Sequence, residues 1–263
     1  MVNNRLLASA NAGYQRKLNQ MNLNYDNYDA LSFDCYGTLI DWERGIWLSF
    51  QPLLAKNAHL QIDQKQVLAD FAEFENEIQS SHPSMPYPEV LKNVHNQFAL
   101  KHGLVTNKEF DRVFGKSVGE WPEFPDSIAA LADLKTRYKL VILSNVDEAS
   151  FIASNQRLSI EFDGIYTAEK IGSYKPDIRN FEYLFAELLA EQGIPHERIL
   201  HVAQSLYHDI QPAKTLGMDC VWIDRQDLST GGEWGATSVI SKWPEPDAVF
   251  SDLASFAQAV TSN

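Results

Sequence analysis

Several things are scarce in this chain. No apolar run approaches the ~20 residues that a membrane-spanning helix needs, which argues against a membrane as partner. The N-terminal stretch MVNNRLLASANAGYQRKLNQ holds only the short apolar patch LLASA. A secretory signal needs a longer apolar region behind a basic start, so none is read there. Cations are few: 22 Lys and Arg stand against 35 Asp and Glu, a formal net charge of −13. Such a surface repels phosphate backbones and anionic lipid, and any anion site must be built locally. There are only two cysteines, Cys35 and Cys220, each inside an apolar strand-like run. They read as buried, reduced thiols of a cytoplasmic protein, not as a disulfide or a metal pair. No internal repeat and no low-complexity tract occurs.

What is present is an alternation. Short apolar runs at residues 30–34, 139–143, 164–168, 199–203 and 220–224 read as buried strands. Helical patterns separate the later ones, which implies βαβ units and a mostly parallel sheet. About 100 residues lie between the first run and the second, far more than a crossover needs. Within them WLSFQPLLAKN, QKQVLADFAEFENEIQSS, YPEVLKNVHNQFALKHG and NKEFDRVFGKSVGEW read as amphipathic helices. The expected organisation is an N-terminal extension over 1–28, an α/β core over 29–44 and 122–263, and a helical insert over 45–121. Ligands of parallel sheets bind at the carboxyl ends of the strands, and a helical lid there would exclude water.

Four short motifs fall at or just after predicted strand ends: Asp34-Cys35-Tyr36-Gly37-Thr38-Leu39, Ser144-Asn145, Ser173-Tyr174-Lys175-Pro176, and Gln204-Ser205-Leu206-Tyr207-His208-Asp209. Singly, each is a turn, a helix cap or a solvated loop. Together they bring a carboxylate, a hydroxyl–amide pair, a cation and a second carboxylate to one point. A carboxylate can attack an electrophilic carbon or phosphorus and form an ester. A nearby Lys⁺ and backbone N–H donors would keep it ionised. Ser144, Asn145 and the turn amides after Asp34 can hold a substrate carboxylate or phosphate. The second carboxylate can orient Lys175 or activate the water that cleaves the ester.

This set resembles the haloacid dehalogenase superfamily over about residues 29–256, and FDCYGTLIDW, ILSN and SYKPD resemble its L-2-haloacid dehalogenase branch. The resemblance implies a doubly wound five-strand parallel sheet with the Asp34 strand at its centre and an inserted helical cap. It implies hydrolysis of a small 2-halo carboxylic acid through an ester on Asp34, with Lys175 and Asp209 catalytic and Tyr36, Thr38, Arg44, Ser144, Asn145 and Gln204 around the substrate. It implies no cofactor, and it allows a homodimer. The branch receives halide on a cap arginine, but residues 45–111 contain none, which leaves either Arg44, just ahead of the insert, as the substitute or no halide role of this kind. Phe181 replaces a Tyr, and Gln204 and Leu206 replace a Ser and an Asn. The competing readings are a Mg²⁺-dependent phosphatase, with metal on Asp34, the Tyr36 carbonyl and Asp209, and a non-catalytic binding protein on the same core. The phosphatase pattern has a second Asp where this chain has Tyr36. In the insert, Glu75, His82, Tyr87 and His95 read as packing, while Trp47 and Trp121 are the candidate pocket walls. His201 reads as a core residue, and the side that His208 faces is open.

Overall fold

The computed structural model describes residues 23–261 except 234, 236–239 and 241. Most of the expected 1–28 extension therefore lies outside the described residues. Its last part does not behave as an appendage. Tyr28 is buried and its hydroxyl donates to Asp219 Oδ2 at 2.7 Å, and Tyr25 packs edge-on against Phe256.

Six strands form one parallel sheet: β1 (Ala30–Phe33), β2 (Lys139–Ser144), β3 (Gly164–Thr167), β4 (Ile199–Ala203), β5 (Cys220–Ile223) and β6 (Ala248–Phe250), in the order β3-β2-β1-β4-β5-β6. The sixth strand extends the expected five at one edge. The other five coincide with the apolar runs because a strand covered on both faces must be apolar at every position. The register sets Leu31 beside Leu140 on one side and Leu200 on the other. Alternate side chains then feed two cores. Leu31, Phe33, Ile142 and Val202 join one, and Ala30, Val141, Leu143 and Trp222 join the other.

The helices are α1 (Trp42–Lys56), α2 (Gln64–Ser81), α3 (Tyr87–Lys101), α4 (Lys108–Gly115), α5 (Ser127–Lys135), α6 (Glu148–Leu158), α7 (Ala168–Ile171), α8 (Arg179–Gln192), α9 (Gln211–Thr215) and α10 (Leu253–Thr261). On the sheet's first face lie α5, α6 and α10, through Leu131, Leu134, Phe151, Phe256 and Val260. On its second face lies α8, through Phe181, Leu184 and Leu188. Among the described residues no helix is long and apolar enough to cross a membrane. Both cysteines are buried and free.

Four helices, α1 to α4, make up the insert between β1 and β2. The starts of α1, α2 and α4 are capped by side chains that satisfy otherwise orphaned amides, while α3 begins behind Pro86 with no side-chain cap. Asp63 accepts from Gln66 N–H at 2.8 Å, and Asn107 from Glu109 and Phe110 N–H. Their shared core is aromatic: Phe50 packs 4.7 Å from Phe98, 4.5 Å from Phe114 and 5.3 Å from the His95 ring. The first of these helices begins at Trp42, capped by Asp41, so Arg44 lies inside it and not ahead of it. A cross-contact fixes its position. A Cβ on Gly45 would fall 2.2 Å from the Trp121 ring, so only glycine lets α1 seat on that tryptophan.

Candidate active site

Asp34, Ser144 and Gln204 sit at the carboxyl ends of β1, β2 and β4, three neighbouring strands, so the sheet converges the motifs. The turn after Asp34 is held tightly. Leu39 and Ile40 N–H both bond the Cys35 carbonyl, and Gly37 N–H bonds Ile40 O at 2.8 Å. Gly37 has φ +97°, and a Cβ there would meet Gln204 Oε1 at 3.0 Å and Trp42 Nε1 at 3.1 Å. The positive φ calls for glycine at this point, and a Cβ would also press on both side chains.

Three titratable groups are locked together by hydrogen bonds. Lys175, 2% exposed, spends its three N–H groups on Asp34 Oδ1 at 2.9 Å, Leu143 O at 2.8 Å and Asp209 Oδ1 at 2.6 Å. Thr38 Oγ1 donates to Asp34 Oδ2 at 2.8 Å and accepts from Gln204 N–H at 2.9 Å. Asn145 clamps the Lys175 backbone, accepting its N–H at 2.7 Å and donating to its carbonyl at 3.0 Å. Asp209 lies in a single π-helical turn, Leu206–Ile210, opened by Ser205, whose hydroxyl accepts from His208 N–H. Its Oδ1 is held and its Oδ2 has no partner among the described residues.

Burial and the Asp209 charge leave the Asp34 carboxyl above its ordinary range, although the Lys175 ammonium and the Thr38 bond oppose them. Burial would also raise Asp209, but the Lys175 charge and the His201 bond outweigh it and hold Asp209 below the usual range. Burial pushes His208 down to about 4, so its ring is neutral near pH 7.

The structure brings Asp34, Lys175, Asp209, Tyr36, Asn145 and Gln204 into the lining of one cavity of ≈ 490 Å³, measured with its mouth open to solvent. Thr38 stands directly behind Asp34. Tyr36 is a wall, since its hydroxyl is tied to Ser154 Oγ at 2.9 Å and its ring packs edge-on to Trp121. Ser144 is buried, its hydroxyl has no partner among the described residues, and it does not line the cavity. Arg44 is exposed and away from it. Neither Trp47 nor Trp121 forms a wall. Trp42, Glu75, Gln79 and Tyr87 do, from α1, α2 and α3.

His201 is fully buried in the core, as its place in an alternating strand predicts, and it also touches a site carboxylate. Its Nε2 reaches Asp209 Oδ1 at 3.0 Å, and an ionised carboxylate can only accept, so Nε2 is the donor. Ser32 Oγ holds its other nitrogen at 2.8 Å, and Phe181 packs edge-on to the ring. The alternation of β4 places His201 in the interior but cannot say which carboxylate it meets.

A hard divalent cation wants about six oxygen ligands. Here both Asp34 oxygens and Asp209 Oδ1 are engaged, Gln204 is neutral, and among the described residues no cluster of three or more His, Cys, Asp or Glu converges. The donor set fits Mg²⁺ poorly.

The profile of the haloacid dehalogenase-like hydrolases matches residues 28–217. The chain belongs to this family. Two curated relatives match about two-fifths of it. A glyceraldehyde 3-phosphate phosphatase of Methanothermobacter thermautotrophicus is 32% identical over 39% of this chain and 45% of its own length. An (S)-2-haloacid dehalogenase of Pseudomonas sp. strain YL is 33% identical over 44% of this chain and 50% of its own. The chain thus spans half or less of the length of these relatives. The solved L-2-haloacid dehalogenase of Xanthobacter autotrophicus superposes with a TM-score of 0.71 over 89% of this chain and 98% of its own, at 17% identity. That likeness is one of fold.

Proposed function

We propose that this family member is a hydrolase acting through a covalent ester on Asp34, and that its reaction is the hydrolytic dehalogenation of a small 2-halo carboxylic acid. The observation that carries the reading is the division of labour between the carboxylates. Asp34 is gripped through both oxygens, which orients it for attack. Asp209 is gripped through one and leaves Oδ2 free to take a proton.

In the first step an Asp34 oxygen attacks the halogen-bearing carbon, and the carbon–halogen pair departs with the halide. The backbone N–H groups of Cys35 and Tyr36, which donate to no acceptor among the described residues, suit the substrate carboxylate or the ester oxyanion. In the second step Asp209 Oδ2 takes a proton from water, and the hydroxide adds to the Asp34 ester carbonyl. The acyl C–O bond then breaks, and the leaving alkoxide takes the proton held by Asp209 and departs as the 2-hydroxy acid with the original Asp34 oxygen. Asp34 keeps the oxygen of water and releases the remaining proton to solvent. His201 and Lys175 hold Asp209 through this step. The insert acts as a cap that keeps bulk water off the ester.

The reading needs no metal, because the donor set offers Mg²⁺ so few open oxygens. The phosphatase among the relatives makes phosphate esters the competing substrates. The test is a panel of 2-chloro-, 2-bromo- and fluoro-acids beside phosphate monoesters, with Mg²⁺ and with EDTA. Halide release that EDTA leaves unchanged is expected. Phosphate release that requires Mg²⁺, with no halide from any acid, would overturn the proposal.

A further inference from the structure

A departing anion needs donors, and the cavity's one lysine has none to spare. Lys175 directs its three N–H groups to Asp34, Leu143 and Asp209. His208 is neutral near pH 7, and among the described residues no arginine lines the cavity. Two other groups face the same space. Trp42 is buried at the start of α1, and its indole N–H has no acceptor among the described residues. It stands beside Gly37, three residues past Asp34, where a Cβ would come within 3.1 Å of Nε1. Glu75 comes from α2, is 7% exposed, and has no cation partner among the described residues. Tyr87 on α3 donates to its Oε1 at 2.7 Å, and both residues line the cavity.

We propose that Trp42 Nε1–H and the Glu75 carboxyl together receive the departing halide, in a cavity where the described residues offer no free cation. The inference rests on the dehalogenation reading. When Asp34 oxygen bonds carbon and the carbon–halogen pair leaves with the halide, the halide accepts from both donors. No proton is transferred, and the halide then diffuses out.

The protonation that this requires follows from the surroundings. Burial lifts the Glu75 carboxyl to about 7, and the Tyr87 bond opposes it only partly. The other titratable groups lining the cavity are Tyr36, Tyr87, Asp34, Asp209, Lys175 and His208, and Tyr174 feels the Glu75 charge from outside it. The tyrosines are neutral, and Lys175 is offset by its two carboxylates. A halide entering beside Glu75 adds like charge and raises the carboxyl further. Binding an anion therefore takes up a proton, and the affinity must fall as pH rises through the Glu75 range.

Bromide binding to the intact enzyme, read from ⁸¹Br NMR line broadening, tests this without turnover. In the wild type we expect affinity to be constant at about pH 6 and to fall about tenfold per pH unit above about pH 7.5. Glu75→Gln keeps an N–H donor and should bind with no pH dependence. Trp42→Phe should weaken binding about tenfold at about pH 6 while leaving the pH profile in place. The same profile in Glu75→Gln as in the wild type, or no saturable binding in the wild type, would overturn the proposal. Should Trp42→Phe fail to fold, the Glu75→Gln comparison decides alone. Glu75-dependent bromide binding by an enzyme that releases no halide from any acid would sustain the receptor and refute the reaction assigned above.

Discussion

Replacing Glu75 by Gln should stabilise the protein, and by an amount that depends on pH in a defined way. The carboxyl accepts from Tyr87 with no cation partner among the described residues, and burial moves it from about 4.5 to about 7. Below about pH 4.5 both the folded and unfolded chains carry the proton. Between about 4.5 and 7 the unfolded chain loses it while the folded chain keeps it. Stability from this group then declines by about 1.4 kcal/mol per pH unit, on the order of 3 kcal/mol in all. Above about pH 7 both states are ionised and the dependence ends. Glutamine has nearly the same shape and can still accept from Tyr87, but it does not titrate. Urea unfolding of both proteins between about pH 5 and pH 8 isolates the group, because every other titration is common to the two. The variant should gain on the wild type as pH rises, by about 2 kcal/mol or more, and level off above about pH 7.5. Against a total stability of about 5–15 kcal/mol this is readily measured. A difference that stays flat across the range would refute the assignment of a buried, unpaired acid at Glu75.

Three shorter predictions follow from the same geometry. Asp209→Asn should slow ester hydrolysis more than ester formation, so that a 2-halo acid leaves a mass increase on the Asp34 peptide; wild-type turnover would acquit Asp209. His201→Gln should lower the hydrolytic step about tenfold and alter its pH profile, because it loosens Asp209 while leaving Asp34 and Thr38 untouched; an unchanged profile in single-turnover kinetics would reduce His201 to packing. Arg44→Ala should change kcat and KM by less than about twofold, since the side chain points to solvent away from the cavity.

The sheet was legible because strands covered on both faces must be apolar at each position, and residues 30–33 or 199–203 could be little else. The sixth strand was not. Ala248–Phe250 is three residues long and half-buried, too short for any period to register. The site residues at strand ends were legible because topology alone brings β1, β2 and β4 together. Helix phase hid the cap-side groups. At about 100° per residue, Trp47 lies roughly 140° around α1 from Trp42, and Arg44 roughly 200° from it. Only Trp42 can therefore face the cavity, and no pattern of hydrophobicity distinguishes which tryptophan that is. Trp121 looked equally suited to a wall, but it fills the space left by Gly45. Glu75 and Tyr87 each resemble an ordinary polar helix position until α2 and α3 fold over the end of β1.

The central claim, that Asp34 carries the substrate, is tested most directly by one turnover in ¹⁸O-labelled water with enzyme in excess over a 2-halo acid. If Asp34 attacks carbon, the product takes its oxygen from the carboxylate. The label then appears on the peptide containing Asp34, and the hydroxy acid is unlabelled. Label found in the product of the first turnover, with the Asp34 peptide unchanged in mass, would mean that water attacks carbon directly and that Asp34 is not the nucleophile.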